Sequence, residues 1–184
     1  MHVIGISMML FGPAEEYVDD DSLRDALREL SSRIAILPIS LLRPHENVDP
    51  DLVKELAEDI KRCGLLRKPI VVDSKTLIII DGHHRVEALK RLGCRRIPCL
   101  LVNYRSPKIA VLSWSRGEPL SKDLVLNAGL RGELLPPKTT RHIIILHGRT
   151  CHISEIQFNV NIPYKELMHE DSHESYPNFR PARK

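Results

Sequence analysis

Between residues 33 and 105 short apolar runs alternate with two stripes of helical period. Residues 34–37, 69–73, 77–80 and 97–104 are dominated by Ile, Val and Leu and read as strands. Residues 50–62 predict a helix that places Leu52, Val53, Leu56, Ala57 and Ile60 on one face, with Pro50 in the first turn and Gly64 at the end. A second helix is predicted over 83–92, closed by Gly93. This order predicts a compact α/β (α+β) core over 33–105. Upstream, 3–11 reads as a strand or apolar arm and 21–32 carries Leu23, Ala26, Leu27 and Leu30 at helical spacing, giving a leading extension over 1–32. Downstream, 106–184 reads as a small mixed lobe. It has an apolar stretch at 111–114, a helix over 121–130 capped by Ser121, strands at 143–146 and 155–160, and a polar tail over 170–184 expected to be loosely ordered.

Composition narrows the class without naming a function. With 42% hydrophobic and 28% charged residues, the 184-residue chain has the profile of an ordinary globular protein. A net charge of +3, with both signs interspersed, suits a small anionic ligand better than a DNA duplex. Cys63, Cys94, Cys99 and Cys151 show neither a C-x-x-C pair nor zinc spacing, so reduced thiols are expected. No apolar run reaches membrane-spanning length. The opening run lacks a basic leader and meets Glu15, Glu16 and the acidic residues 19–21, so a cytoplasmic, membrane-free protein is expected.

Three constellations can carry chemistry. Asp81-Gly82-His83-His84-Arg85 joins a predicted strand to a predicted helix, where backbone N–H groups and the helix dipole attract anions. Three potentially cationic residues in a first helical turn oppose that dipole unless an anion is bound, whereas Asp81 can hold a cation or simply cap the helix. Arg43-Pro44-His45-Glu46-Asn47 places a carboxylate in a proline-stiffened loop, fit to act as a general base or to hold Mg²⁺. Lys138-Thr139-Thr140-Arg141-His142, after Pro136-Pro137, offers a second phosphate or carboxylate site. Trp114 is the sole tryptophan among 4% aromatics. The chain carries no Walker-type G-x-x-x-x-G-K-[ST] and no G-x-G-x-x-G, so the anion site is not a P-loop or a dinucleotide fold.

Taken in order, Arg43-Pro44, Leu56-Ala57-x-x-Ile60, Gly64-Leu65, Pro69-Ile70-Val71-Val72 and Asp81-Gly82-His83-His84-Arg85-x-x-Ala88 resemble the ParB/sulfiredoxin superfamily over residues 33–105. Partition proteins of that superfamily carry Gly-Glu-Arg-Arg at the turn, followed by a helix-turn-helix region. Sulfiredoxins carry Gly-Cys-His-Arg with a nucleophilic cysteine, and this chain has His83 there. The branch of archaeal free L-serine kinases and their bacterial siderophore-pathway relatives is more similar. It shares the His45-Glu46 loop, the Asp-Gly-His-His-Arg turn, a Trp segment matched by Trp114 and a Lys-x-Thr-Arg-His loop matched by residues 138–142.

That resemblance implies a ParB/sulfiredoxin-like core with a small C-terminal substrate lobe. It also implies Mg²⁺-dependent phosphoryl transfer from ATP or ADP to free L-serine, giving O-phospho-L-serine. Glu46 would be the base, and Asp81 would organise Mg²⁺ or the substrate. Gly82, His83, His84 and Arg85 would cradle the nucleotide phosphates. Trp114, Lys138, Thr139, Thr140, Arg141 and His142 would hold serine or the transferring phosphate. The alternative is a nucleotide-binding, DNA-associated regulator. Its Gly-Glu-Arg-Arg turn, recognition helix and basic stripe are missing from the sequence, so DNA is not expected as a partner.

Overall fold

A computed structural model describes residues 33–146 and 149–169, together with Asp25. The expected arm at 3–11, the 170–184 tail and all of the expected 21–32 helix except Asp25 lie outside the described residues. The elements run β1 (Arg33–Pro38), α1 (Pro50–Cys63), β2 (Leu65–Leu66), β3 (Ile70–Asp73), β4 (Ile79–Asp81), α2 (His83–Arg91) and β5 (Arg96–Val102). They continue with β6 (Ile109–Ser113), β7 (Pro119–Leu120), α3 (Lys122–Arg131), β8 (Thr140–Leu146), β9 (Arg149–His152) and β10 (Ile162–Pro163). No helix among the described residues is long and apolar enough to cross a membrane.

The first sheet has the order β1-β5-β3-β4, with β3 and β5 parallel and the outer pairs antiparallel. Both of its faces are covered. Ile70 and Val72 of β3, with Ile97, Cys99 and Leu101 of β5, pack under α1 and α2 beside Ala57, Ile60, Val86 and Leu89. Val71, Leu100 and Val102 point the other way, into a second core with Ile109, Val111, Val125, Ile144 and Ile156. Burial on both faces is why these strands read as unbroken apolar runs instead of alternating ones. The second sheet, β7-β6-β8-β9, closes this second core together with α3.

Local chemistry sets the helix ends. The Asp49 carboxylate accepts from the Asp51 N–H at 2.9 Å and Pro50 opens α1, while Gly64 ends it in the left-handed region at φ 77°. Ser121 caps α3 by accepting from the Asp123 N–H at 3.1 Å. Asp73 is buried, takes the Thr76 N–H and hydroxyl on one oxygen and the Tyr104 N–H on the other, and so ties the β3–β4 turn to the end of β5.

Two expectations are corrected. Residues 155–160 are not a strand: Ile153–Ile156 form a 3-10 turn with Ile153 and Ile156, three apart, both buried, while Phe158 is exposed. Leu52 does not join the core face of α1 but is 42% exposed. Strand β9, Arg-Thr-Cys-His, carries too little apolar signal to be read in advance, and its place comes from pairing with β8.

Gly129 of α3 packs directly against Ile78, the residue ahead of β4: a Cβ there would lie 2.7 Å from Ile78 Cγ1 and 2.8 Å from Cδ1. A mid-helix Gly→Ala change on an open face gains up to about 1 kcal/mol. Gly129→Ala is instead expected to cost about 1–3 kcal/mol by overpacking, measured by urea denaturation. A stabilised variant would contradict the close approach of α3 to Ile78.

Candidate functional site

Residues 43–49 leave the 3-10 turn after β1 and are stitched to two distant segments. The Arg43 N–H donates to Leu77 O and the Ile79 N–H to Arg43 O, which lays the loop along the entry to β4. The Asn47 N–H donates to Leu135 O and the Leu135 N–H to His45 O, which lays it also against the chain entering β8. Glu46, half-buried between these anchors, accepts from the Lys138 N–H at 2.8 Å on Oε1. On Oε2 it accepts the Thr140 N–H at 2.9 Å and faces the Thr140 hydroxyl at 2.7 Å. Lys138 adopts φ 57°, which turns its N–H to this carboxylate. These contacts leave about one lone-pair position on Glu46, suited to a proton.

Across from Glu46 lies the Asp81–Arg85 turn. Gly82 has φ 105°, and a Cβ there would fall 2.5 Å from Ile70 Cγ2, so only glycine fits. His83 Nε2 accepts the His45 N–H at 3.3 Å and His84 Nε2 accepts the Asp49 N–H at 3.2 Å. In these contacts each ring accepts at Nε2, which leaves Nδ1–H as its remaining donor.

Arg85 occupies a different place from the one expected of it. Its guanidinium lies inward, paired with Asp81 Oδ2 at 2.6 Å, bonded to Pro69 O, and 3.1 Å from Gln157 Oε1. Gln157 completes a triangle by donating to Asp81 Oδ2 at 2.5 Å. Asp81 Oδ1 takes no hydrogen bond among the described residues and remains for a ligand.

A cavity of about 290 Å³ is lined by both sides of this arrangement. Glu46, Asp81, Gly82, His83 and His84 form part of its wall, and Trp114, Lys138, Thr140 and His142 the rest. Arg85, Thr139 and Arg141 do not line it. The Thr139 hydroxyl donates within its own turn to Pro136 O, while its carbonyl accepts the Trp114 N–H and holds that segment at the rim. Arg141 falls between Thr140 and His142 on β8 and is exposed, as strand alternation requires. A second volume of about 280 Å³ adjoins the first and shares Glu46, Asn47 and His83 with it.

Sequence reasoning missed four participants. Leu52 and His152 line the larger cavity, Gln157 braces Asp81 and Arg85, and the Tyr104 hydroxyl lies 3.0 Å from His142 Nε2. Gln157 is the only glutamine in the chain, yet nothing local marks it, because its partners are 72 and 76 residues away. Among the described residues no group of three His, Cys, Asp or Glu side chains is arranged to hold a metal ion.

Residues 23–114, half of the chain, match the ParB N-terminal domain. The chain belongs to the ParB N-terminal domain family. A ParB-like protein of Sulfolobus acidocaldarius is 39% identical over 75 residues, covering 41% of this chain and 37% of that protein. An ATP-dependent L-serine kinase of Staphylothermus marinus is 30% identical over 83 residues, covering 43% of this chain and 33% of its own length. The chain thus spans about a third of the curated relatives it matches. Among solved structures, a conserved hypothetical protein from Pyrococcus furiosus superposes with TM-score 0.62 at 15% identity, covering 73% of this chain and 97% of that one. A free serine kinase in complex with AMP superposes with TM-score 0.59 at 16% identity, over 73% of this chain and 93% of that one. This ParB-family chain therefore shares the fold of those structures.

Three histidines of the site are held neutral by burial. His45 is lowered to about 4, chiefly by desolvation. His83 and His142 are also pushed well below the usual value, first by burial and then by neighbouring histidines. A histidine that binds its proton less readily in the folded state than in the unfolded one makes stability fall as pH drops through the unfolded value near 6.5 toward the folded one. His45 alone contributes on the order of 3 kcal/mol to this loss between pH 6.5 and about 4. Urea midpoints are expected to fall steeply over that window. A flat profile there would contradict neutral burial.

Proposed function

We propose that the protein transfers a phosphoryl group from an adenine nucleotide to the hydroxyl of free L-serine, giving O-phospho-L-serine. The observation that carries this reading is the Glu46 carboxylate, fixed by Lys138 and Thr140 on the wall that two adjoining cavities share, across from the Asp81-Gly82-His83-His84 turn. A serine hydroxyl is a poor nucleophile at neutral pH, and a positioned carboxylate removes its proton as the bond to phosphorus forms. Phosphoryl transfer otherwise needs alignment and charge compensation more than covalent help.

The remaining groups fit those needs. The first N–H groups of α2 and the Nδ1–H donors of His83 and His84 suit the nucleotide phosphates, while Lys138 supplies a mobile cation at the rim. Trp114, 49% exposed, offers an apolar wall for the amino acid. Asp81 Oδ1 fits a Mg²⁺ ion that arrives with the nucleotide, because Mg²⁺ takes one or two carboxylates and completes its shell with phosphate oxygens and water. Such an ion would neutralise charge on the phosphates. Thr140 and Arg85 are assigned to positioning Glu46 and Asp81 instead of binding substrate directly.

Relatives named L-serine kinases use ATP in Staphylothermus marinus and Desulfurococcus mucosus, and ADP in Thermococcus kodakarensis. Both donors are therefore candidates. A DNA-associated regulator has less support, since the likeness to free serine kinase structures covers 73% of the chain and the ParB N-terminal match stops at residue 114.

The purified protein with Mg²⁺, L-serine and, separately, ATP, ADP or CTP is expected to form O-phosphoserine with an adenine nucleotide, read by ³¹P NMR. Nucleotide binding without product under all three conditions would overturn the assignment.

A further inference from the structure

Three groups of the site meet through contacts whose hydrogens do not add up. His45 is 1% exposed, and its Nδ1 lies 2.7 Å from Ile79 O, which can only accept, so Nδ1 carries the ring proton. The neutral ring then has a bare lone pair at Nε2, and Nε2 lies 3.1 Å from Thr140 Oγ1. That same hydroxyl lies 2.7 Å from Glu46 Oε2. Thr140 has one hydroxyl hydrogen and an acceptor on each side. With Glu46 ionised and His45 neutral, one of the two contacts is without a hydrogen, an arrangement that is costly among buried groups.

A single added proton repairs it. Glu46 in its acid form donates from Oε2 to Thr140 Oγ1, Thr140 donates to His45 Nε2, and His45 still donates to Ile79 O. The lone pair left open is on Oε1, so the proton arrives there, and a half-turn of the carboxyl group carries it into the Oε2 position facing Thr140 Oγ1 while the Lys138 and Thr140 N–H groups still donate to Glu46.

We propose that Thr140 and His45 are positioning residues for the proton that Glu46 takes up, forming with it one unit whose hydrogen bonds are complete only after the proton arrives. This rests on the proposed phosphoryl transfer. As the substrate O–H bond breaks, its electron pair stays on the oxygen that attacks phosphorus. The proton forms an O–H bond on Glu46, and the leaving nucleotide keeps the electron pair of the broken P–O bond. Thr140 keeps its own hydrogen and changes acceptor from Glu46 to His45. No further reactant is needed, and the proton passes to water when product leaves.

The surroundings decide where the proton stays. The rings facing His45 are His83, with centroids 4.6 Å apart, and His142, at 5.6 Å, both held neutral by burial. Behind His142 stands the Tyr104 hydroxyl, with Lys122 Nζ 5.5 Å from the Tyr104 ring centroid. No carboxylate forms a hydrogen bond or ion pair with His45 among the described residues, and Glu46 reaches it only through the Thr140 hydroxyl. An imidazolium at His45 is thus disfavoured, and the carboxyl keeps the proton.

Two pairs of variants test this. Thr140→Val keeps the backbone bond to Glu46 and removes the hydroxyl, and it is expected to lower kcat about tenfold with KM changed less than threefold. Thr140→Ser is expected to restore kcat. His45→Asn keeps a donor for Ile79 O but gives Thr140 no acceptor. It is expected to lower kcat similarly and to move the acid limb of the kcat profile to lower pH, whereas His45→Gln, which supplies an amide oxygen, recovers part of the rate. Wild-type kcat and an unmoved acid limb in His45→Asn, or failure of Thr140→Ser to restore the rate, would overturn the proposal.

A readout independent of turnover separates it from the kinase reading. In the free protein, the ¹⁵N shift of His45 Nε2 is expected to follow the infrared signal of Glu46 protonation, and Thr140→Val should abolish the coupling. Coupling without phosphoserine formation would overturn the kinase reading alone. Phosphoserine formation without coupling would overturn the three-group unit alone.

Discussion

The Glu46 carboxylate is the knot on which the site depends. It binds backbone donors 92 and 94 residues further along the chain, at Lys138 and Thr140, and in doing so fixes where β8 begins relative to the loop after β1. The flanking bonds between His45, Asn47 and Leu135 run in register with it, so the carboxylate finishes a short ladder. Through Thr139 O the same segment holds Trp114, and through Arg43 the loop is laid on the entry to β4, just ahead of Asp81. A half-buried ionised group needs such donors to offset desolvation. The geometry that satisfies Glu46 is also the geometry that closes one side of the cavity.

The opposite side obeys a different constraint. Histidines crowded together would repel one another if charged, and burial keeps His45, His83 and His142 neutral. Arg85 and Gln157 bind one oxygen of Asp81 and leave the other, while the His45 and Asp49 N–H groups donate to Nε2 of His83 and His84 and so orient both rings. Fixed dipoles and donors that need no reorganisation suit the stabilisation of a charged transferring group. The strain-prone point is Gly82, pressed against Ile70 of β3, so the turn is located by the core beneath it.

Much of the fold is legible in the chain because its signals are local. Pro50, Asp49 and Gly64 mark α1, Ser121 marks the start of α3, and the unbroken run Ile70-Val71-Val72 marks a strand buried on both faces. Residues 155–160 misled because Ile156 and Phe158 alternate as in a strand, whereas packing selects Ile153 and Ile156 at a spacing of three. Within the site, short motifs identified what assembles but not how each side chain is employed. Nothing local distinguishes Arg85, turned inward to Asp81, from a phosphate ligand, and Arg141 is excluded only by the alternation of β8. Gln157 was illegible altogether, since its role exists only through contacts made after folding.

The central claim is that Glu46 accepts the proton in a phosphoryl transfer. The most direct measurement is single-turnover formation of O-phosphoserine by Glu46→Gln, with nucleotide affinity measured on the same sample. The amide keeps the size of the side chain but cannot accept the proton, so nucleotide affinity should be retained while the transfer rate falls about 100-fold or more. A rate within a factor of two of the wild-type value would contradict the account, and would mean that this carboxylate shapes the cavity without taking part in the chemistry.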